Sequence, residues 1–454
     1  MTTIASRLAG LAVMAMAVGT VAPGPAQAGT LTAATIFSQF DAVIFGNFSS
    51  TSDVEGRTVV GGNLVGGATF NNNPAGVAAS SFAALSVYGN ATAGGNFNIN
   101  NGGGVAIGGT NNVSFNLNGG GSAYVGGNNS GNLSGATASM TVGGSNSGNL
   151  TLNSGGSVYT GTNSGGINAS GSTSVRINGS NSANLNLNGG GTVALNGSNS
   201  GTISLSGGSL TYTGTRGNLN LNGGATATKV GSLSLTAPVS TLGSFASTFQ
   251  TPLTALSTQL DAIAANSTAT ASRNALIFNA APNSAGEAVF DINTSLFAAN
   301  STVTVNLGGA TTVIINVNVD SCVSTNCAFA LPNSVNFNNP TGYAATVLWN
   351  FVNATSLNFP TEFGGSVLAP LASVTNSSPI DGTLVAASYT GNGEIHSHPF
   401  TGTLPDGTSA GSTVSATAAP EPASLFLIGS GLAGLAAVRR NRRRHGDKPA
   451  KPRA

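Results

Sequence analysis

The feature that most constrains this chain is a phase. Between residues 95 and 230, apolar residues two apart recur as Phe97/Ile99, Phe115/Leu117, Leu133, Leu150/Leu152, Ile167, Leu185/Leu187, Ile203/Leu205 and Leu219/Leu221. The first members are spaced 18, 18, 17, 17, 18, 18 and 16 residues apart. A second set falls between them: Val105/Ile107, Ala123/Val125, Met140/Val142, Val158, Val175/Ile177, Val193/Leu195 and Leu210/Tyr212. Two short strands per period, each closed by Gly-Gly, Gly-Ser or Asn-Ser, predict a solenoid. A flexible Gly/Ser/Asn linker has no reason to hold a register for eight periods.

The pleat supplies the physics. In "NLNLNGG", which occurs at Asn184–Gly190 and again at Asn218–Gly224, the leucines point to one face and the asparagines to the other. Stacked coils would align the leucines into a dry column. The outward asparagines would form ladders at about 4.8 Å spacing. Like residues stack on like, so a charged ladder would repel itself. Charged residues are accordingly only 6% of the chain, against about 25% in ordinary domains. Eight coils predict a rod on the order of 40 Å.

The ends carry different signals. Arg7, an apolar run from Leu8 to Val21, and Ala26-Gln27-Ala28 before Gly29 read as a secretory signal over 1–28, with Ala26 and Ala28 as the signal-peptidase residues. Residues 406–419 read as a linker. Pro420-Glu421-Pro422 then leads into an uncharged run, Ala423 to Val438, and a basic end over 439–454. The run is a transmembrane-helix candidate, slightly short of the roughly 20 residues a spanning helix needs, and its arginines would stay cytoplasmic. Without these ends, residues 29–420 hold 5 bases and 11 acids. A mildly acidic exported body argues against nucleic acid as a partner.

After the repeats, Phe245, Phe249, Leu253, Leu256, Leu260 and Ile263 lie on one helical face, predicting a flanking α-helix over 241–265 that Pro252 bends or starts. Strands return at Ala288–Ile292, Val303–Leu307, Thr312–Val319, Ala345–Phe351, Val367–Val374, Thr383–Tyr389 and Glu394–Phe400. The fold class is therefore mainly β: a parallel β-solenoid with extra Gly/Asn-rich coils and one long flanking helix.

Chemistry-bearing groups are few. Glu394, His396 and His398 would share one strand face, a weak metal candidate against a plain polar face on a closing strand. Asp53, Glu55 and Arg57 would share another, with an Arg–carboxylate pair as the simplest outcome. Asp381, before Gly382, reads as a turn residue without further role. Cys322 and Cys327 enclose four residues, and in an exported protein predict a small-loop disulfide. No pattern asks for a cofactor, and no catalytic set is expected. The coils from Asn96 to Asn222 hold only Arg176 and Arg216 as charges, where a polysaccharide-degrading β-helix needs clustered carboxylates.

Two resemblances sharpen this. The Pro-Glu-Pro/apolar/Arg order of the tail resembles the PEP-CTERM sorting signal of Gram-negative bacteria. That implies recognition of Pro420, Glu421 and Pro422 by an exosortase-type enzyme, which cleaves the tail and delivers the body to the cell surface or matrix. "FDAVIFGNFSSTSDVEGRTVVGGNL" (Phe40–Leu64), "LSVYGNATAGGN" (Leu85–Asn96) and "GGSVLAPLASVTNSSPIDGTLVAASYTGNGEIHSHPFTGTLP" (Gly364–Pro405) resemble the choice-of-anchor A domain, regarded as adhesive, which would span 29–405. The likeness extends, more distantly, to ice-binding β-solenoids with a flanking helix. The repeat block then reads as coils inserted into a compact parent. The implied function is a surface-sorted structural or adhesive protein that binds glycans or other surfaces. Binding of ice or another ordered surface is the alternative.

Overall fold

The computed structural model describes residues 31–405, apart from 137, 241 and 299. Among these, strands form sheets of 21, 13 and 4 members. Each repeat coil gives one strand to the long sheet and one to the second. In the second sheet Phe97 pairs with Phe115, Phe115 with Leu133, and the register passes through Leu150, Ile167, Leu185 and Ile203 to Leu219. In the long sheet Val105, Ala123, Met140, Val158, Val175, Val193, Leu210 and Ala227 align the same way. All of these pairs are parallel, and the aliphatic side chains from Phe97 to Leu210 are buried in one continuous column. The expected phase is thus the pairing register.

The topology shows where the coils are inserted. The first strand, Ala42–Ile44, pairs on one side with Thr58–Val60 and on the other with the late strand Leu384–Gly391. Outward from Thr58–Val60 the long sheet grows through Leu85–Val87 into the repeats. From Leu384–Gly391 it grows the other way through Ser366–Asn376, Val347–Phe351, Thr312–Asn318 and Glu287–Asn293. Both ends of the described chain therefore meet in mid-stack, and the repeats form one arm. On the other arm a hairpin, Thr268–Ser272 with Asn274–Asn279, opens the small sheet; the periodicity gave no sign of it. Trp349 fills that end, ringed by Phe278, Phe297, Phe337 and Phe363, its Nε1 donating to the Gly364 carbonyl at 2.8 Å.

Two helices cover part of the long sheet's outer face. Helix α1 (Ala33–Gln39), absent from the sequence reading, is capped by the Thr32 hydroxyl accepting from Thr35 N–H. The expected helix over 241–265 is shorter: a π turn, Ala246–Gln250, runs into α2 (Thr251–Asp261). Pro252 explains the start, because it has no N–H for the preceding turn and its ring crowds the carbonyl four residues back. Phe249, Leu253, Leu256 and Leu260 are buried against Val43, Val59, Leu368 and Val385. Two buried asparagines pin the helix: Asn350 Nδ2 donates to the Ser257 carbonyl at 2.9 Å and Asn316 Nδ2 to the Leu260 carbonyl at 2.8 Å.

Between the arm tip and α2 the chain must return. Val230 N–H still bonds the Tyr212 carbonyl, while the Phe245 ring lies 5.2 Å from Tyr88 and 5.9 Å from Phe45. Eight strand spacings, about 38 Å, are thus recrossed in fifteen residues, which extended reach about 50 Å.

Candidate functional site

The charged groups expected to carry chemistry fasten the chain closure instead. The last described strand is only Ile395–His396, pairing with Asp53–Val54 and Ile380–Asp381. His396 Nδ1 lies 2.7 Å from Asp381 Oδ1 and its Nε2 lies 2.9 Å from Glu394 Oε2. Both ring nitrogens are therefore engaged by carboxylates. The hydrogen bond to Asp381 is the main reason the imidazole pKa rises to about 9. His398 leaves the strand in a turn, its N–H bonded to the His396 carbonyl, so the expected one-face set of Glu394, His396 and His398 is not assembled. Among the described residues no group of three or more His, Cys, Asp or Glu side chains is placed to hold a metal. Asp381 is a correction too: it is no plain turn residue but the fully buried anchor of His396.

The Asp53–Glu55–Arg57 pairing is likewise not formed. The strand ends at Val54, which breaks the alternation. Asp53 accepts from Asn72, and Glu55 accepts from the Ser397 N–H at 2.7 Å. Arg57 Nη1 donates to the carbonyls of Gln39 and Ala78. Asp41 is fully buried nearby; burial pushes its pKa up to about 7, an effect Ser397 and the Gly56 N–H only partly offset. A side chain at Gly56 would run into the Asp41 carboxylate, so that glycine makes room for it. Cys322 and Cys327 are joined as a disulfide.

The coils present a different kind of surface. At the corner after each long-sheet strand, Asn111, Asn129, Asn146, Asn163, Asn181 and Asn199 stack in a buried ladder. Each Nδ2 from Asn111 to Asn181 donates to the next Oδ1 at 2.6–2.8 Å and to the carbonyl two residues on at 2.7–2.9 Å. The expected outward ladders exist as short runs, such as Asn118 Nδ2 to Asn100 Oδ1 at 2.9 Å and Asn100 Nδ2 to Asn72 Oδ1 at 2.8 Å, and as single links, such as Asn186 to Asn168 at 3.0 Å. The principal ladder is internal, and its signal was the corner Asn recurring every 17 or 18 residues, within [Ser/Thr]-Asn-Ser from Asn146 onward. Because the asparagine turns in, its neighbours turn out. Ser145, Thr162, Ser180, Ser198 and Thr215 form one exposed rank, and Ser130, Ser147, Ser164, Ser182 and Ser200 another. Ser130, Ser147 and Ser164 donate back to the asparagine carbonyl of the preceding coil at 3.3–3.4 Å, which fixes their orientation. Between the ranks runs a shallow groove of about 370 Å³.

A second surface begins where α2 ends. Along one outward row of the long sheet, Leu368, Val385, Val43 and Val59 lie under the helices, and the same register continues as Ser86, Ala106, Tyr124, Thr141, Tyr159 and Arg176. The row changes from aliphatic to small, hydroxylic and aromatic at the helix margin. There a groove of about 440 Å³ opens between the Ser80–Ala83 loop and the sheet. Phe82 holds that loop down, edge-on to Phe40 and Phe249 at 5.6 and 5.2 Å.

Residues 33–397 match the family model described as "Putative Ice-binding-like adhesive domain". The chain belongs to that family. Residues 418–443 match the PEP-CTERM protein-sorting motif, so this adhesive-domain protein is exported and sorted to the surface, and the motif implies processing by an exosortase. Pro420, Glu421, Pro422 and the apolar run 423–438 lie outside the described residues, as do Ala26 and Ala28. Among the described residues no helix is long and apolar enough to cross a membrane. No curated protein matches the chain. A solved structure, "The Crystal Structure of Caldicellulosiruptor kristjanssonii Tapirin C-terminal domain", is 12% identical, covering 79% of this chain and 94% of that one at a TM-score of 0.18; that likeness carries no argument here. An adhesive domain suggests a role without catalysis.

Proposed function

We propose that this protein is a surface adhesin of the cell envelope or extracellular matrix whose coil arm holds polysaccharide through its paired hydroxyl ranks. The observation that carries the reading is the corner geometry. Two exposed ranks of Ser and Thr flank a buried asparagine ladder, repeat at about 4.8 Å along the arm, and carry no charge. Each hydroxyl both donates and accepts, so an extended, hydroxyl-rich polymer laid along the arm would be met by many weak bonds at fixed intervals. Affinity would then grow with the number of coils engaged. The same regularity supports a second reading, contact with an ordered surface such as ice, in line with the family description.

The finer sorting steps belong to the same proposal. Signal peptidase would cut after Ala28, the apolar run would hold the protein in the inner membrane, and cleavage at Pro420-Glu421-Pro422 would release the body to the surface. Fractionation of cells carrying the three residues as alanine tests this: retention of the tail in the inner membrane is expected, and unchanged surface delivery would refute it. For binding, the exported protein is passed over beads bearing dextran or the producing cell's own extracellular polysaccharide. Changing Ser164, Ser182 and Ser200 to alanine should lower retention severalfold, whereas the same change at Ser154, Ser170 and Ser206 should not. Equal retention of both variants would sink the assignment. Ice-crystal shaping, with no retention on polysaccharide, would favour the second reading.

A further inference from the structure

The groove at the margin of α2 differs from the groove between the hydroxyl ranks in having a cation and aromatic rings in its lining. Arg57 lines one end, Tyr124 and Thr141 the other, with Ser122 and Ser139 on the rim and Phe82 on the wall. Arg57 is half-buried, and its guanidinium carbon lies 5.8 Å over the Phe40 ring. Its Nη1 contacts are neutral carbonyls, and its buried Nε has no hydrogen-bond partner. The ion pairs among the described residues both belong to His396, so no carboxylate stands within bonding distance of this cation. Asp41 is the acid whose field reaches it, and burial holds that carboxyl partly protonated near neutrality. A cation walled by aromatic rings and hydroxyls, with no protein anion to answer it, suits an anion brought by a ligand.

The strand register sets the size of that ligand. From the Arg57 strand to the Tyr124 strand are three steps, about 14 Å, and to the Thr141 strand four, about 19 Å. A single sugar cannot touch both ends. We propose that this groove binds a short run of an acidic polysaccharide, with a uronate carboxylate at Arg57 and a pyranose face two or three units along on Tyr124. The hydroxyls of Ser122, Ser139 and Thr141 would meet the ring hydroxyls between. The proposal rests on the adhesive reading, but it concerns a surface separate from the hydroxyl ranks and a ligand of defined charge.

The test is calorimetric titration of the exported protein with trigalacturonate, monogalacturonate and neutral maltotriose. Trigalacturonate should bind about tenfold or more tighter than either of the others, as a charge-assisted contact plus ring stacking implies, and rising salt should weaken it. Tyr124→Ala should lose about tenfold while Tyr124→Phe stays near the parent. Arg57→Gln should abolish the preference for acid over neutral trimer. If that variant fails to fold, the salt dependence and the two Tyr124 variants decide. Equal binding of neutral and acidic trimers, no binding of trigalacturonate, or an unchanged Tyr124→Ala would overturn the proposal. Alanine variants of the Ser164–Ser200 rank should still bind trigalacturonate, so failure of the rank reading and failure of this one are separable.

Discussion

Replacing Asn163 by alanine probes the element on which the coil arm depends most. Asn163 Oδ1 accepts from Asn146 Nδ2 at 2.8 Å, and its own Nδ2 donates to the Gly165 carbonyl at 2.8 Å and to Asn181 Oδ1 at 2.7 Å. Three buried bonds at about 1 kcal/mol net each give about 3 kcal/mol. The truncation also strands a donor on Asn146 and acceptors on Asn181 and Gly165, and each orphaned buried group adds a further penalty of about 1–3 kcal/mol unless water reaches it. The flanking Thr162 and Ser164 are exposed, so water reaches part of the gap. The expected loss is about 3–5 kcal/mol. Coils contact only their neighbours, so the damage should stay local. Urea unfolding followed by far-ultraviolet dichroism reads the total, and amide exchange across Ser145–Ser182 reads the locality. Asn168→Ala, which removes an exposed link to Asn186, is the control and should change stability by no more than about 0.5 kcal/mol. If Asn163→Ala costs no more than that control, the buried ladder is not what holds the corners.

Other outcomes follow from the same geometry. Gly191 sits at φ +133°, where a Cβ would run into the Thr173 backbone of the coil before, so Gly191→Ala should destabilise by about 2 kcal/mol or more in the same urea assay. Leu256→Ala under α2, at a fully buried site, should cost about 2–5 kcal/mol. His396, with its pKa raised from 6.5 to about 9, contributes stability that is complete below pH 6.5 and lost as pH climbs through 9. Asp41, raised from 3.8 to about 7, prefers its neutral form when folded, so stability also falls as pH climbs from 4 to 7. Melting temperatures should therefore decline from pH 4 to 9; His396→Gln should flatten the upper half of that curve and Asp41→Asn the lower half, and a flat parent profile would refute both assignments. Reducing Cys322–Cys327, which closes a sequence separation of 5, should remove no more than about 2 kcal/mol.

Much of the architecture was legible because it is local and repeated. A leucine two residues from another, recurring every 17 or 18 positions, can satisfy both strand alternation and stacking in one way, and the pairing register follows it residue for residue. The late strands were readable from short β-branched stretches, such as Val313, Ile314, Ile315 and Val317 in Thr312–Asn318. Helix α2 was visible from its apolar face, but both its ends were placed too far out: a π turn before Pro252 leaves no mark in periodicity, and the helix stops at Asp261. The site was less legible. Asn-Ser was read as punctuation, yet nothing in the dipeptide says that its asparagine is buried. Glu394, His396 and His398 looked like a ligand set because strand alternation was extended past His396, where the chain turns.

The amino-acid sequence by itself determined the coil, its pitch, the scarcity of charge in the arm and the sorting tail, since each is a matter of spacing or composition within a short window. The tertiary structure alone decided which groups face one another across long separations. Asp381 comes to His396, Asp41 comes beneath Ser397, and α2 comes onto Val43 and Val385 because the two ends of the domain meet in mid-stack, far from where a local pattern could place them. That meeting also sets where the helix cover stops, and so where the Arg57 groove opens. Burial and field depend on neighbours in space, and no window of sequence contains them.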